Sequence, residues 1–108
     1  LKNLTSLAGY GTSGQQGATS IAVREPSMNW NGTKAIFSMI VGAPISQTDT
    51  SKFYWQLYEV TGLGEVESPS ITKVPNQPLN YNNINPIYGT DEKIIFSSFF
   101  ICFIGVQR

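Results

Sequence analysis

One sequence pattern occurs twice in the chain, and this repeat constrains the fold more than any other feature. EPSMNWNGTKAIFS, at residues 25–38, is echoed by NPIYGTDEKIIFS at residues 85–97. Each copy has a proline, an aromatic or large apolar residue two positions later, a polar turn, a lysine and a run that ends in Ile-Phe-Ser. The matched pairs are Pro26 with Pro86, Met28 with Tyr88, Asn31 with Asp91, Lys34 with Lys93, and Phe37 with Phe96. The pattern predicts that each copy is a short strand, a tight turn and a second strand running back.

The turns of the two copies differ in sequence. The first copy contains Asn31-Gly32, a dipeptide that favours a two-residue hairpin turn because both residues tolerate positive φ. The second copy is shorter by one residue and has Asp91-Glu92, so we expect a different turn there. Turn chemistry accounts for these polar residues more simply than a binding site does.

Strand signals recur from Lys34 onward. KAIFSMIV, at 34–41, places apolar residues on both faces, as expected for a strand that is covered on both sides. FYWQLYEV, at 53–60, alternates and is rich in aromatic residues that favour strands, and SITKV, at 70–74, is a short strand between two prolines. The segments 42–52 and 61–68 carry turn residues. The sequence therefore predicts an all-β fold.

The ionisable residues exclude several functional classes. Seven Lys and Arg residues balance seven Asp and Glu residues, so charge supports neither a nucleic-acid partner nor an anionic membrane. The chain has no histidine and one cysteine, Cys102. A disulfide framework, a Cys/His zinc site, a C-x-x-C-H haem attachment and a histidine-based triad are therefore excluded within it. We expect no cofactor or metal, and we identify no catalytic constellation.

GYGTSG, at residues 9–14, has the G-x-G-x-x-G spacing of dinucleotide-binding loops. That spacing has meaning only where a strand turns into a helix whose N-terminus receives a pyrophosphate, with an acidic residue about 20 positions later. The preceding segment is not a strand pattern, Gly17 and Pro26 leave no room for the helix, and Glu25 comes too early. A flexible loop is the preferred interpretation.

The C-terminal run IIFSSFFICFIGV, at 94–106, is uncharged and strongly apolar. It is shorter than the roughly 17 to 25 residues that a membrane-spanning helix needs. A buried strand is our first interpretation. A truncated membrane anchor and a non-native tail from a cloning or reading-frame artefact are the alternatives.

The repeat resembles a known family. PSMNWNGTKAIF resembles the P-x-W-S-P-D-G-K-K-I-A-F repeat of TolB-type β-propellers, although Asn31 replaces the usual aspartate and Trp30 the usual proline. FYWQLYEV resembles the following strand of those repeats, and SITKVPNQPLNYNNINPIYG resembles the outer strand and the crossing into the next blade. The resemblance covers roughly residues 23–98.

This resemblance implies an antiparallel four-stranded propeller blade and a division of the chain into three parts. Residues 1–22 would be a flexible Gly-rich lead-in, residues 23–84 the first blade, and residues 85–108 the start of a second blade with an atypical apolar tail. REPSMNWNGTKAIFSMIVGAP and YWQLYEVTGLG also look like the propeller region of proteins related to the hydrazine synthase alpha subunit. Members of that group that carry haem bind the haem through cysteine motifs that this chain lacks. The resemblance therefore assigns no haem-binding or catalytic residue to this chain.

The function implied by the resemblance is that of a non-catalytic scaffold or protein-interaction module in a bacterial cell-envelope or periplasmic protein. The alternative is the propeller part of a larger enzyme, either a hydrazine-synthase-like redox protein or a propeller-gated peptidase, with its chemistry outside this chain. Expected partners are neighbouring blades or another protein, with self-association through exposed strand edges. The candidate interaction surface consists of Tyr54, Tyr58, Asn80, Tyr81, Asn82 and Asn83.

Overall fold

The computed structural model describes residues 3–11, 17–43, 53–64 and 68–99. These residues form one short helix and six strands: α1 (Leu4–Leu7), β1 (Gly17–Met28), β2 (Ala35–Ala43), β3 (Trp55–Thr61), β4 (Ser70–Lys73), β5 (Asn82–Tyr88) and β6 (Ile94–Phe99). The all-β prediction is therefore confirmed. The helix found in these segments is neither long nor apolar enough to cross a membrane.

The strands form two antiparallel sheets. The first, sheet A, has the order β1-β2-β3-β4, and the second, sheet B, pairs β5 with β6. The antiparallel four-stranded sheet expected from the sequence is thus present. β1 begins at Gly17, inside the predicted lead-in 1–22, and β5 begins at Asn82, before the predicted boundary at residue 85. The described sheets are open, and the division into propeller blades stays a prediction.

Both copies of the repeat are hairpins, and both contain a β-bulge at the same place. The register of β1 with β2 shifts between Arg24 and Ser27, and the register of β5 with β6 shifts between Ile84 and Ile87. In each bulge a residue with positive φ, 59° for Glu25 and 55° for Asn85, precedes the proline. Proline has no N–H to donate to a ladder, so a bulge on an edge strand accommodates it.

The two turns share one hydrogen bond but differ in length, as expected, because Met28 pairs with Ala35 around residues 29–34 whereas Tyr88 pairs with Ile94 around the shorter 89–93. The Gly32 N–H donates to the Asn29 carbonyl (3.1 Å), and the Glu92 N–H donates to the Gly89 carbonyl (3.1 Å). Gly32 and Glu92 have φ values of 69° and 66°. The predicted two-residue Asn-Gly turn is wrong, because Asn31 is not among the described residues with positive φ. Each turn is instead a four-residue turn that ends in a left-handed residue.

Sheet A is covered on both faces, as the apolar pattern of β2 predicted. One face carries the core cluster Phe37, Met39, Tyr58 and Val60, against which Leu4 and Tyr10 pack. The opposite face carries Ile36, Ser38 and Leu57, each 0% exposed. β5 contacts β1, β2 and β3. The second copy of the repeat thus packs across the sheet that contains the first.

We expect Gly62→Ala to be the most damaging glycine substitution near β3. Gly62 has a φ of 73°, and an added Cβ would lie 2.5 Å from the Ser68 backbone oxygen, which cannot rotate away. The loss in free energy of unfolding should be about 2 to 4 kcal/mol, measured by urea denaturation. Gly9→Ala is the matched control, since φ is 90° but nothing lies within 4 Å. It should cost only about 1 kcal/mol, and equal losses would contradict the steric explanation.

Candidate functional site

A shallow cleft on sheet A is the candidate site, and we call it the tyrosine cleft. It has a volume of about 360 Å³ and is lined by Val41, Phe53, Tyr54, Gln56, Tyr58, Lys73, Leu79 and Asn80. Its position is set by the start of β3 and by the connection from β4 to β5, which carries Leu79 and Asn80. The volume lies at the lower end of the range for small-ligand pockets. Its walls combine aromatic rings, amides and one ammonium group.

Three residues of the predicted interaction surface are accessible. Tyr54 is half-buried, Asn80 is exposed and Tyr81 is 37% exposed. Tyr54 and Asn80 line the cleft. Leu79, which sequence analysis did not single out, is 63% exposed beside them and also lines it. These residues form the accessible part of the site.

The other three predicted surface residues lie in the interior, so the prediction is wrong for them. Tyr58 is 6% exposed, Asn82 is 2% exposed and Asn83 is 0% exposed. Tyr58 reaches the cleft wall but is mainly a core residue. Its ring makes an edge contact with Tyr10 (centroids 5.7 Å apart) and stacks on Phe37 (6.2 Å). Burial, with Tyr10 beside it, raises the pKa of Tyr58 to about 12.

Residues 76–86, NQPLNYNNINP, are rich in amide side chains, and two of these, Gln77 and Asn83, hydrogen-bond to backbone groups in the interior. Gln77 accepts from the Leu57 N–H (2.8 Å) and donates to the Leu57 carbonyl (3.0 Å). Its side chain thereby continues the ladder of β3 beyond the end of β4, since β4 has four residues and β3 has seven. That difference in strand length is the sequence signal that could have identified the role of Gln77.

Asn83 is the centre of this network. Its Nδ2 donates to Gln77 Oε1 (2.9 Å) and to the Pro78 carbonyl (2.9 Å). Its Oδ1 accepts from Ser98 Oγ (2.7 Å), and its backbone carbonyl accepts from Ser38 Oγ (2.7 Å). The asparagine therefore connects both sheets and the connection between them. Buried polar groups need such partners, because each unpaired one costs free energy.

Gln56 lines the cleft and positions the backbone of the connection between β4 and β5. Its Nε2 donates to the carbonyls of Trp55 (3.2 Å), Pro78 (3.3 Å) and Tyr81 (2.8 Å). Its Oε1 is buried and finds no hydrogen-bond partner within the described segments. Because Nε2 fastens residues 78–81 to β3, Gln56 positions Leu79 and Asn80 at the rim of the cleft.

A second polar cluster joins β5 to sheet A on the face opposite the core cluster. The Tyr88 hydroxyl donates to Glu59 Oε2 (2.6 Å), and Lys34 Nζ lies 3.9 Å from the same oxygen. Lys34 Nζ also lies 5.4 Å from the centroid of the Tyr88 ring. Burial, together with the hydrogen bond to Glu59, raises the pKa of Tyr88 well above its usual value. Tyr88 therefore stays neutral near pH 7 and acts as a hydrogen-bond donor between strands.

The other sequence motifs are only partly described. α1 precedes the described glycines Gly9 and Gly11 and β1 follows at Gly17, the reverse of the strand-to-helix order that dinucleotide binding needs; residues 12–14 lie outside the described segments. Within 94–106, residues 94–99 form β6, so a strand is present as predicted, but it is not buried as expected, since Ile95 is 56% exposed and Phe99 is 44% exposed. The remainder, with Cys102, lies outside the described residues. Among described residues, no group of three His, Cys, Asp or Glu side chains could hold a metal ion.

The sequence matches no protein-family model, and comparison with curated proteins and with solved structures found no match. The resemblance to TolB-type propellers therefore depends on the sequence patterns within residues 23–98 alone.

Proposed function

We propose that this chain is a non-catalytic segment of a TolB-like propeller that serves as a scaffold and protein-interaction module in a bacterial cell-envelope protein. The observation that supports the proposal best is the packing of the repeat: the β5–β6 hairpin, which is the second copy, lies across three strands of the sheet that holds the first. Repeat proteins bury their apolar faces through such contacts between neighbouring units.

The structural role of the ionisable and amide side chains, which bond strands to one another, also supports a non-catalytic role. The Tyr88–Glu59–Lys34 cluster and the Gln77–Asn83–Ser98 network join strands to one another. A general acid or base works best with a pKa near the operating pH. The two described tyrosines with shifted pKa values are shifted away from neutrality.

The tyrosine cleft is the surface that we assign to a protein partner. Tyr54 and Leu79 provide apolar contact area, while Asn80 and Lys73 provide polar groups at its rim. Protein interfaces are enriched in tyrosine because a rigid ring with a polar tip buries a large area at little conformational cost. An exposed leucine beside such a ring suits a short protein segment better than a charged ligand.

Site-specific photo-crosslinking tests this assignment. We expect p-benzoylphenylalanine in place of Leu79, in the chain exported to a bacterial periplasm, to form a discrete adduct that mass spectrometry identifies. The same group in place of Trp30, which is 76% exposed at the tip of the β1–β2 hairpin, is the matched control and should form little. Purified partner should then bind Leu79→Asp at least about tenfold more weakly than the unmodified chain. Equal adduct yields at both positions, or none at Leu79, would argue against the cleft.

A further inference from the structure

The tyrosine cleft continues into a second depression of the surface. This depression has a volume of about 330 Å³ and is lined by Lys73, Val74, Pro75, Asn76, Gln77 and Leu79. Because Lys73 and Leu79 also line the tyrosine cleft, the two depressions adjoin each other at these residues. We call the two depressions together the Lys73 groove. Two adjoining depressions suit an extended polypeptide better than a single small molecule.

The walls of the Lys73 groove are held in place by the fold. A Cβ added to Gly42 would lie 2.7 Å from Cε1 of Phe53, so the Phe53 ring packs directly on the main chain of β2. Asn76 and Asn80, one in each depression, have φ values of 62° and 60°. Such left-handed residues persist only where their surroundings fix them. A groove whose walls are already ordered loses little conformational entropy when a partner binds.

The charge of the Lys73 groove is positive. Among the described residues that line it, Lys73 alone carries a charge, and this residue is exposed. Lys73 makes no ion pair within the described segments, whereas Lys34 and Lys93 each have a carboxylate oxygen within 3.9 Å. An ammonium group beside apolar walls favours a carboxylate, because charge-assisted hydrogen bonds are stronger where water is partly excluded.

Gln56 provides a second group that lacks a partner. Gln56 lines the groove and is 7% exposed, and its Oε1 accepts no hydrogen bond within the described segments. A buried acceptor without a partner costs stability. A main-chain N–H of a bound segment would satisfy this oxygen. The groove therefore offers an acceptor for a peptide main chain as well as a cation for a carboxylate.

We propose that the Lys73 groove binds an extended, internal protein segment in which an acidic residue lies beside a large apolar one. Lys73 Nζ pairs with the acidic side chain, and the apolar residue packs on Tyr54 and Leu79. Because the groove extends from Lys73 into both depressions, the segment continues past the ammonium group in both directions. This geometry favours an Asp or Glu side chain over a terminal carboxylate. The inference rests on the proposed function of the tyrosine cleft as a protein-binding surface.

Peptide selection tests the composition of the segment. Random linear peptides are displayed on phage with their C-terminal ends joined to the coat protein, so that no terminal carboxylate is offered. They are selected on the full chain, and peptides that also bind Leu79→Ser are discarded. We expect the remaining peptides to carry Asp or Glu beside a large apolar residue. A selection that yields no such peptide would overturn the proposal.

A charge exchange tests the role of Lys73. The most frequent peptide is synthesised with acetylated and amidated ends, and its Kd is measured by fluorescence anisotropy. Lys73→Ala should raise the Kd about fivefold, the effect of one partly exposed ion pair. Lys73→Glu should raise the Kd further, and replacing the acidic residue of the peptide by lysine should then restore binding. Lys93→Ala, at an exposed lysine outside the groove, is the matched control and should leave the Kd unchanged.

Three results would overturn the proposal. The first is an equal Kd for Lys73→Ala and the unmodified chain, and the second is a failure of the charge exchange to restore binding. The third is tighter binding by a peptide that ends in a free carboxyl group in place of its acidic residue, because the ligand would then be a chain terminus. A discrete adduct at Leu79 together with any of these results would leave the proposed function in place. An absence of that adduct would count against the proposed function, whatever the Kd values.

Discussion

Asn83→Ala should lower the free energy of unfolding by about 3 kcal/mol, the largest loss that we expect from a single polar side chain. The substitution removes hydrogen bonds to Gln77, Pro78 and Ser98 in a site that is 0% exposed. It leaves the Pro78 carbonyl and the Ser98 hydroxyl without these partners and opens a small cavity. Urea denaturation followed by tryptophan fluorescence measures the change.

Two comparisons separate hydrogen bonding from packing at Asn83. Asn83→Asp has nearly the same shape and keeps the acceptor for Ser98, but it places a carboxylate oxygen against Gln77 Oε1 and the Pro78 carbonyl. At pH 7 we expect it to cost more than Asn83→Ala, since a buried unpaired charge is added. Asn80→Ala, at an exposed site, should change stability by less than about 0.5 kcal/mol. Equal effects at both asparagines would contradict a central role for Asn83.

Stability should fall steeply above pH 10 because two buried tyrosines keep their protons in the folded chain. The ordinary tyrosine pKa is 10.0, and in the folded state that of Tyr58 is raised to about 12, while that of Tyr88 is also raised. Below pH 10 both residues are neutral whether the chain is folded or unfolded, so their contribution is fully present. As pH rises, the unfolded state releases these protons first and is favoured, by about 1.4 kcal/mol per pH unit for each tyrosine.

Tyrosine substitutions test the assignment of this pH dependence. Tyr88→Phe should reduce the slope of unfolding free energy against pH by about 1.4 kcal/mol per pH unit between about pH 10 and 12. Tyr81→Phe, at a residue 37% exposed, is the control and should leave the slope near that of the unmodified chain. The measurement is a series of urea denaturations across this pH range. An unchanged slope in Tyr88→Phe would show that the hydroxyl ionises as readily in the folded chain as in the unfolded one.

The sequence predicted the elements whose signals are local. The apolar residues on both faces of 34–41, the alternation in 53–60 and the two prolines around 70–74 identified β2, β3 and β4. The repeated pattern identified both hairpins. β1 extends further toward the N-terminus than predicted, because Gly17 pairs with Ala43 although its own segment has no strand pattern. Pairing with a strong neighbouring strand outweighed weak local preference.

The candidate site was less predictable than the fold. Tyr54 and Asn80 line the cleft as accessible residues, whereas Asn82 and Asn83 are buried. The three asparagines look alike in the sequence, as members of the amide-rich segment 76–86. Whether an amide side chain faces water or a buried backbone group depends on the partners that the fold brings to it. Asn82 is buried because its Oδ1 accepts from the Trp55 N–H (3.1 Å).

The sequence by itself therefore determined that the chain is all-β and that it contains two related hairpins. These properties follow from side-chain periodicity and turn chemistry, which act within a few residues. Only the tertiary structure decided that β5 crosses sheet A, that Asn83 joins the two sheets, and that Ile36 is buried while the matching Ile95 is exposed. Burial depends on what packs against a residue, and that partner lies far away in the sequence.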